Sequence, residues 1–416
     1  MKFSNWFHYA LMALAGIFFI SPKITVIFIV LLGIVITIGA FRNQFEFKWH
    51  TSHILWASIY ILYLIGAIYT RHSNLAGLYL ENKVSLLLFP LFFSFKPKFE
   101  LELKPVLSAA IIGYILAVFM GLLNAYSNYS EGVGLITSFT SVSISPIHHP
   151  TYMSIFGIIL LAGMWQLKVH NEVRSISFVW GTSVIILIYS VLCLSLSALI
   201  FIFLIGCAFS IWWIVRKVKK PIGLTLLFLV PVLLTLTFLN VPSVKTDLNA
   251  TYKSMSKYLE DPDGYVKTKT GYKTGNEIRL VMWTVTVQEI LDHPFGVGTG
   301  NVDEVLSKRL ESKNQKHLAL KDEKGTIQFN PHNQFLQTSL EVGIIGGLLL
   351  LFTIVLWLRI GWRSGNWMLV ILSLSLAFNG LFESMLQRQS GIVFYSFWSV
   401  FLVLISLQMH QKSQAD

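Results

Sequence analysis

Long apolar segments recur from one end of the chain to the other and are separated by short polar or charged segments. Most are about 17 to 22 residues long, which is enough for an α-helix to cross a bilayer, whereas a β-barrel strand needs only about half that length. We therefore predict an all-α, polytopic membrane protein with about twelve transmembrane helices. The predicted spans lie near residues 7–21, 24–41, 52–70, 84–95, 105–124, 150–167, 177–193, 195–214, 221–240, 337–358, 365–381 and 391–409.

One long polar segment interrupts this pattern late in the chain and divides the sequence into three regions. Residues 1–240 hold the first nine predicted spans. Residues 241–336 form one large loop that contains short helices, and residues 337–416 hold the last three spans and a tail. No internal repeat is visible by eye, whereas repeated halves are typical of many transporters.

Two stretches of the large loop predict different local structure. Asn276 to Asp292 places apolar residues on an approximately helical face and stops before Pro294, so we predict a short helix there. Tyr252 to Thr274 is polar and rich in lysine without a clear apolar period. Such a segment is typically mobile or is ordered by substrate.

Composition and charge support the membrane prediction and exclude two other classes of protein. With 54% hydrophobic and 13% charged residues, the chain is too apolar for an ordinary soluble globular domain. The net charge of +11 suggests a nucleic-acid partner, but residues 241–331 carry thirteen Lys and Arg against twelve Asp and Glu. The basic excess therefore belongs to the short loops between spans, and no nucleic-acid partner is expected.

The distribution of cationic residues among the short loops predicts the orientation in the membrane. If the N-terminus is cytoplasmic, the short outward-facing segments hold only Lys23, Arg71, Lys83 and Arg388. Both termini are then cytoplasmic, and the large loop faces outward. The short cytoplasmic segments hold fifteen positive residues, namely Lys2, Arg42, Lys48, Lys96, Lys98, Lys104, Lys168, Arg174, Arg216, Lys217, Lys219, Lys220, Arg359, Arg363 and Lys412.

The stretch from Asn330 to Gly347, where a polar segment turns into an apolar helix, holds the strongest candidate for chemistry. We predict that Asn330 caps a helix whose first residue is Pro331, which places His332 in the first turn. The unpaired N–H groups and the helix dipole there disfavour an imidazolium, so a neutral His332 could accept a proton. A histidine that only caps or anchors the helix is the alternative. Gly343 and Gly347 are spaced for close contact with another helix, which would hold this helix rigid.

Charged residues near outward helix ends are further candidates, because charge is costly at membrane depth. Arg279, in the predicted loop helix, offers a planar set of donors suited to phosphate oxygens, or else it pairs with an acid such as Glu277. Arg71 and Arg388 are either ligand contacts or snorkelling anchors. Lys83 begins the short fourth span and could form an ion pair with the neighbouring glutamate.

Polar residues also mark the start of the sixth span and the end of the eleventh. His148 and His149 are adjacent and point in different directions, so a shared metal site is not expected. Hydrogen bonding of His149 and Tyr152 to a polar ligand is more plausible. Glu383, close to Arg388, could hold an arginine in position or form a structural ion pair.

Two other patterns suggest cofactor or metal chemistry but do not predict it. Gly296, Gly298 and Gly300 alternate as in a dinucleotide fingerprint, yet no buried strand precedes them and no βαβ unit surrounds them. They predict a turn, either a plain one or one whose backbone N–H groups contact a ligand. Cys193 and Cys207 lie inside apolar spans without a Cys or His partner at ligand spacing, so neither a disulfide framework nor a Cys-based metal site is predicted.

The stretch around His332 is similar to the signature of the O-antigen ligase family, membrane glycosyltransferases that share a domain with O-antigen polymerases. That signature is His, then Asn, Ser or Gln, nine residues, Gly, two residues, and Gly, Thr or Tyr. His332, Asn333, Gly343 and Gly346 match it at every position. The resemblance also covers the twelve-span layout, the single large outward loop, the glycine turn, and Arg279 about fifty residues before the histidine.

The resemblance implies a GT-C-like fold and transfer of a glycan from an undecaprenyl-diphosphate carrier to a hydroxyl of an acceptor such as lipid A-core. It implies a place in the bacterial cytoplasmic (inner) membrane, among its lipids, with the active site on the outer, periplasmic face. His332 would be the general base and Arg279 would hold the diphosphate, with inversion at the anomeric carbon and without a metal or other cofactor. Substrate contacts are expected from Asn333, Arg388, Arg71, Lys83, His149, Tyr152 and Glu383.

One feature departs from the family pattern. Members often carry a Ser-Arg pair in the span before the loop, whereas residues 193–198, Cys-Leu-Ser-Leu-Ser-Ala, contain no arginine. A second phosphate-binding cation would then be Arg388, Arg71 or Lys83. Two alternative functions remain open. One is a polymerase, which uses a second lipid-linked repeat as acceptor, and the other is a transporter or flippase of lipid-linked sugars, in which His332 only binds.

Overall fold

The computed structural model of the chain describes residues 2–173, 175–217, 242–269, 271–272, 275–320 and 330–415. These residues form nineteen α-helices, two short β-strands and one 3₁₀ turn. The predicted ninth span, residues 221–240, lies outside the described residues, as do Arg174, Lys219 and Lys220.

Eleven of the described helices precede the large loop, and most of them follow the predicted spans closely. They are α1 (Phe3–Ile20), α2 (Pro22–Phe41), α3 (Thr51–Ile68), α4 (Ser73–Lys83), α5 (Ser85–Ser94), α6 (Leu103–Ser130), α7 (Leu135–Ser138), α8 (Ser141–Ile144), α9 (Pro150–Val169), α10 (Ile176–Leu192) and α11 (Leu196–Lys217). Strands β1 (Phe45–Phe47) and β2 (Phe95–Pro97) pair antiparallel, with Phe45 opposite Pro97.

In the large loop and the C-terminal region, the described residues form eight further helices. The loop contains α12 (Pro242–Glu260), α13 (Pro262–Thr268), α14 (Gly275–Asp292) and α15 (Val302–Ser312), followed by the 3₁₀ turn Lys316–Leu318. The C-terminal region contains α16 (Gln334–Val342), α17 (Ile344–Ser364), α18 (Trp367–Asn379) and α19 (Gln389–Ala415). The predicted helix over Asn276 to Asp292 is confirmed as α14.

Within the described residues, eight helices are long and apolar enough to cross a membrane, and three shorter apolar helices, Ile176–Leu192, Leu196–Ile211 and Trp367–Asn379, accompany them. The chain is therefore a multi-pass, mainly α-helical membrane protein. The fourth span is longer than predicted, because α4 and α5 together form an apolar unit of 22 residues. Lys83 interrupts this unit in the sequence, but its side chain is fully buried inside the protein and does not face lipid. The total of twelve spans stays a prediction.

Contacts between helix ends show which ends share one side of the bundle. The hydroxyl of Thr299, in the glycine turn of the loop, donates to the carbonyl of Tyr63 near the end of α3 (2.8 Å). Thr151, at the start of α9, is hydrogen-bonded to Ser195, just before α11 (2.8 Å). We call this side the loop end of the bundle. Helices α9 and α19 both begin there, and their spans are the most enclosed by protein, with 78% and 89% of the span buried.

The large loop has a small hydrophobic core of its own. Within the stretch Tyr252 to Thr274, predicted to be mobile or ordered by substrate, the described residues contribute to helices α12 and α13. Met255 and Tyr258 of α12 pack against a buried cluster that includes Val266 and Leu280. Only a few apolar side chains of this stretch reach the cluster, so the sequence shows no clear apolar period.

The predicted tenth span, residues 337–358, is divided into two helices at Gly343. Gly343 has a φ of +86°, and a Cβ there would lie 2.8 Å from the carbonyl carbon of Phe295. A Cβ on Gly347 would meet Ser339 of the preceding helix. Gly347 therefore makes the predicted close contact with another helix, α16, whereas for Gly343 that prediction is wrong, because Gly343 contacts the glycine turn. They allow a sharp break between α16 and α17 and a close approach of the glycine turn.

Replacing Gly343 by alanine should lower the thermal unfolding midpoint in detergent, because the alanine must adopt a left-handed backbone and its Cβ meets Phe295. The backbone strain alone costs about 1 to 2 kcal/mol. Gly132→Ala is the matched control, since Gly132 also has a positive φ (+93°) but has open space around it. The explanation is wrong if Gly343→Ala is no less stable than Gly132→Ala.

Candidate functional site

A cavity of about 460 Å³ lies at the loop end of the bundle, between the ends of membrane helices and the loop helices α12 and α14. Its volume falls within the range of about 300 to 1,000 Å³ that is typical of small-molecule sites. Its apolar walls include Leu194, Ile200, Trp283 and Phe382. Its polar lining residues are Ser141, His149, Thr151, Ser195, Ser197, Thr251, Asn276, Arg279, His332 and Glu383.

His332 lies in a turn just before α16 and not in its first helical turn. The helix begins at Gln334, and its cap is Asn333, whose Oδ1 accepts the N–H of Leu336 (3.0 Å). The prediction that Asn330 caps a helix containing His332 is therefore wrong. Asn330 Oδ1 instead accepts the N–H of His332 (2.8 Å). Because His332 has a left-handed backbone, with φ +46°, the helix cannot begin before it.

The ring of His332 contacts Glu383, with Nδ1 3.3 Å from Oε2. The carboxyl is almost fully buried, since its side chain is 9% exposed. Burial alone raises the pKa of Glu383, but the hydrogen bond with His332 and nearby positive charge, including that of Arg279, outweigh burial and hold the pKa below 4.5. An ionised carboxylate only accepts hydrogen bonds, so Nδ1 of His332 is the donor in this contact, and the neutral ring with this tautomer has Nε2 as its acceptor.

Arg279 brings a guanidinium to the cavity from the first turns of α14. Its Nε donates to the carbonyl of Phe382 (3.1 Å), and its Nη1 donates to Oδ1 of Asn276 (3.0 Å). Phe382 directly precedes Glu383, so the same loop contacts both the arginine and the histidine. The structure therefore brings Arg279, His332 and Glu383 to one cavity.

The two adjacent histidines point in different directions, as predicted. His148 is buried and hydrogen-bonded to Ser390 Oγ (2.8 Å) and to a backbone carbonyl of α1 (2.9 Å). His149 lines the cavity, and its buried Nδ1 has no hydrogen-bond partner within the described ranges. Burial lowers the pKa of His149 below 6.5; the charge of Glu383 opposes this and that of Arg388 reinforces it. His149 therefore offers a neutral imidazole.

Three further predicted substrate contacts lie beside the cavity and do not line it. The hydroxyl of Tyr152 donates to the carbonyl of Ser384 (3.4 Å), so it supports the loop that carries the acid. Arg388 is exposed, and its charge reaches His149. Asn333 uses its side chain to cap α16.

Lys83 and Arg71 do not line the cavity either. Lys83 Nζ donates to Oε1 of Gln387 (2.8 Å) and lies 3.9 Å from Glu341, so the expected ion pair with the neighbouring Glu81 is wrong. The ammonium also lies over the rings of Tyr63 and Tyr79, at 4.7 and 4.9 Å from their centroids. Arg71 is exposed. A buried, paired lysine is poorly placed to hold a substrate.

The glycine turn is confirmed, and its backbone supports α16. Gly296, Gly298 and Gly300 have φ values of +89°, +92° and +92°. The N–H groups of Val297 and Gly298 donate to backbone carbonyls at the end of α16 (2.8 and 3.0 Å). These two groups are therefore occupied by the protein, which favours the plain turn over a ligand contact. Gly346 packs against the side chain of Val342, where a Cβ would lie 2.4 Å away.

Several polar lining residues were not singled out as candidates from the sequence. They are Ser141, Thr151, Ser195, Ser197, Thr251 and Asn276. The only signal for Ser195 and Ser197 is that they interrupt an apolar run, and the structure places a break between α10 and α11 at this point. Asn276 precedes Arg279 by three residues, which is the spacing at which two helical side chains meet.

Residues 181–351 match the family model described as O-antigen ligase, so this part of the chain is an O-antigen ligase family domain. The matched range contains Arg279, His332 and the glycine turn, and it confirms the resemblance found in the sequence. No curated protein matches the chain. Among the described residues, no group of three or more His, Cys, Asp or Glu side chains could hold a metal ion.

The ionised form of Glu383 should stabilise the fold in a pH-dependent way. Because its pKa is held below 4.5, the stabilisation is complete at neutral pH, starts to decline near pH 4.5 and is lost as the pH falls through the lower, folded-state pKa. Thermal unfolding midpoints in detergent, measured between neutral pH and pH 3, should therefore differ between wild type and Glu383→Gln by an amount that decreases on acidification. A difference in midpoint that stays constant or increases would contradict a stabilising, ionised Glu383.

Proposed function

We propose that this chain, with its O-antigen ligase domain at residues 181–351, is a membrane glycosyltransferase that transfers an undecaprenyl-diphosphate-linked glycan to a hydroxyl of an acceptor sugar. The observation that carries the proposal is the meeting of Arg279, His332 and Glu383 in one cavity at the loop end of the bundle. An acceptor can approach from the aqueous side while the lipid of the donor remains in the membrane. The positive-inside pattern favours the outer, periplasmic face of the bacterial cytoplasmic membrane.

The proposed reaction is a single displacement at the anomeric carbon. Nε2 of His332 takes the proton of the acceptor hydroxyl while its oxygen attacks that carbon. The bond between the anomeric carbon and the diphosphate oxygen breaks, and the diphosphate leaves with the electron pair. The products are the glycosylated acceptor and undecaprenyl diphosphate, and the imidazolium returns its proton to solvent. Attack from the side opposite the leaving group inverts the anomeric configuration.

Arg279 would stabilise the negative charge that develops on the leaving diphosphate. A guanidinium can donate two parallel hydrogen bonds to phosphate oxygens, and part of the fork is already oriented by Asn276 and Phe382. It is the only lysine or arginine among the residues that line the cavity in the described part of the chain. Arg388, whose charge reaches the cavity at His149, is the best supported second cation. Lys83 is buried and paired with Glu341, which argues against Lys83 as the second cation.

The acceptor decides between a ligase and a polymerase. A ligase joins the glycan to lipid A-core or another surface glycan, whereas a polymerase joins it to a second lipid-linked repeat. Both reactions need the same base and the same diphosphate contact, and the match of the histidine signature leads us to prefer the ligase. A transporter of lipid-linked sugars would need the cavity only for binding, and it would release the donor intact.

Replacing His332 by alanine should reduce glycan transfer by about 10² to 10⁴-fold, the usual contribution of a general base. The assay uses purified protein, a defined lipid-linked donor and a candidate acceptor. Donor binding should be largely retained, since the arginine is still present. His293→Ala is the control, because His293 is an exposed loop histidine that does not line the cavity. Unchanged transfer by His332→Ala would rule out the proposed base.

Replacing Arg279 by lysine should weaken transfer by about 10- to 100-fold, in line with the roughly 1.5 to 3 kcal/mol of a hydrogen bond to a charged group. Lysine keeps the charge but loses the planar fork. The loss should appear in donor binding as well as in the rate. Lys308→Gln, at an exposed loop position paired with Glu304, removes a positive charge away from the cavity and should have no such effect. Equal loss in both variants would contradict the assignment of the diphosphate contact to the planar fork of Arg279.

A further inference from the structure

Glu383 and His332 reach each other from separate parts of the chain, and several hydrogen bonds fix the two segments together. The acid lies in residues 380–388, between α18 and α19. The N–H of Gln334 donates to the carbonyl of Gly380, and the Gln334 side chain accepts the N–H of Leu386, both at 2.6 Å. One glutamine at the start of α16 therefore binds both ends of the segment that carries the acid.

A second set of bonds joins the two segments beside the reactive groups themselves. Oδ1 of Asn330 accepts both the N–H of His332 (2.8 Å) and the hydroxyl of Ser384 (3.2 Å). The N–H of Glu383 donates to the carbonyl of Asn379 (2.8 Å), which fixes its backbone at the end of α18. A large movement of His332 or of Glu383 would therefore break hydrogen bonds that hold the segment of the other residue.

The backbone of His332 is held in an uncommon conformation. Its φ of +46° costs a residue with a side chain about 1 kcal/mol or more. Strain of this kind persists where the surrounding structure fixes the geometry, and it often occurs at functional sites. Here the turn brings the ring to the cavity with Nδ1 directed at Glu383.

Besides its hydrogen bond to Nδ1 of His332, Glu383 has a second effect that depends on the charges around the two residues. Arg279 and His149 act on Glu383 from α14 and from the start of α9, Arg388 acts on His149 from the segment before α19, and Tyr152 adds a neutral phenol. An imidazolium formed in the same cavity as the guanidinium of Arg279 would be destabilised by like charge. Glu383 is the only acidic residue that lines the cavity in the described part of the chain, so it alone can offset this repulsion there.

We infer that Glu383 is a positioning residue for His332: its carboxylate binds the Nδ1–H, so that the lone pair of Nε2 is available to the acceptor hydroxyl, and it stabilises the imidazolium formed after proton transfer. This inference rests on the proposed function, because it assigns a role within the proposed transfer. It goes beyond that function by naming the group that selects the tautomer of the base. The proton stays on Nδ1 throughout, and the acceptor's proton enters and leaves through Nε2.

Glu383→Gln tests the inference, because glutamine keeps the size of the side chain but has no charge and can present its NH₂ group to the ring. We expect kcat for transfer to fall by at least about 10-fold and by up to about 10⁴-fold, the loss when the corresponding carboxylate of a serine-protease triad is replaced. The KM for the donor should change little, because the acid does not bind the diphosphate. The acid limb of the kcat/KM profile should move to lower pH, because the ring has lost the group that favoured its protonated form.

Glu383→Asp is the conservative variant that should restore part of the activity. It keeps the charge on a shorter side chain, so we expect part of kcat to return and the acid limb to stay near its wild-type position. If Glu383→Gln fails to fold, the aspartate variant alone decides. A displaced acid limb in a folded Glu383→Asp protein would then overturn the inference.

Glu289→Gln is a matched control, because the chain contains a second pair of the same kind. Glu289 Oε2 lies 3.3 Å from Nδ1 of His293, the same distance as in the proposed pair, and its side chain is similarly buried. This pair does not line the cavity. Glu289→Gln should lower the thermal unfolding midpoint, since Glu289 also binds Arg309, and it should leave kcat and the acid limb unchanged.

The outcomes separate the inference from the proposed function. If His332→Ala is inactive while Glu383→Gln keeps the wild-type kcat and acid limb, the positioning role is wrong and the proposed base stands. If His332→Ala retains transfer, the proposed function itself loses its base. If Glu289→Gln moves the acid limb as much as Glu383→Gln does, the effect is structural and the inference fails.

Discussion

The hydrogen bonds between residues 380–388 and the start of α16 are the constraint on which the site depends. Inside a membrane protein, backbone and side-chain polar groups must find partners within the protein, because lipid offers none. Gln334 hydrogen-bonds to backbone groups at both ends of residues 380–388. Gln387 hydrogen-bonds to the buried side chains of Lys83 and Glu341. The same bonds that satisfy these groups also hold Glu383 against His332. Stability and the geometry of the proposed base therefore arise from one network.

The cavity combines few charges with many neutral polar groups, and this suits a substrate that carries a diphosphate next to sugar hydroxyls. Arg279 supplies the positive charge, Glu383 the negative one, and serine and threonine hydroxyls line much of the rest. The break between α10 and α11 brings Ser195 and Ser197 to the wall at the position where the family pattern often has an arginine. In the proposed reaction, the positive charge for a second phosphate contact would come from outside the lining residues, and Arg388 is the best supported source.

The sequence predicts the membrane class, most span positions, α14 and the central histidine and arginine, because apolar length and a spaced motif are local properties. It misses features set by distant contacts. The helix start moves from Pro331 to Gln334, because the backbone of His332 is left-handed. Lys83 binds Gln387 and Glu341, which no neighbour in the sequence could indicate. The pairing of Glu383 with His332 joins residues 51 positions apart and depends on the packing of α16 against residues 380–388.

In the proposed reaction, the protein transfers a glycan from a lipid diphosphate to a sugar hydroxyl by a single displacement. Mass and linkage analysis of the products made by the purified protein from a defined undecaprenyl-diphosphate donor, offered candidate acceptors in turn, tests this most directly. We expect a new glycosidic bond to the acceptor with inverted anomeric configuration, together with released undecaprenyl diphosphate. Recovery of the donor unchanged, or intact on the other side of a vesicle membrane, would rule out this reaction and would favour a transporter.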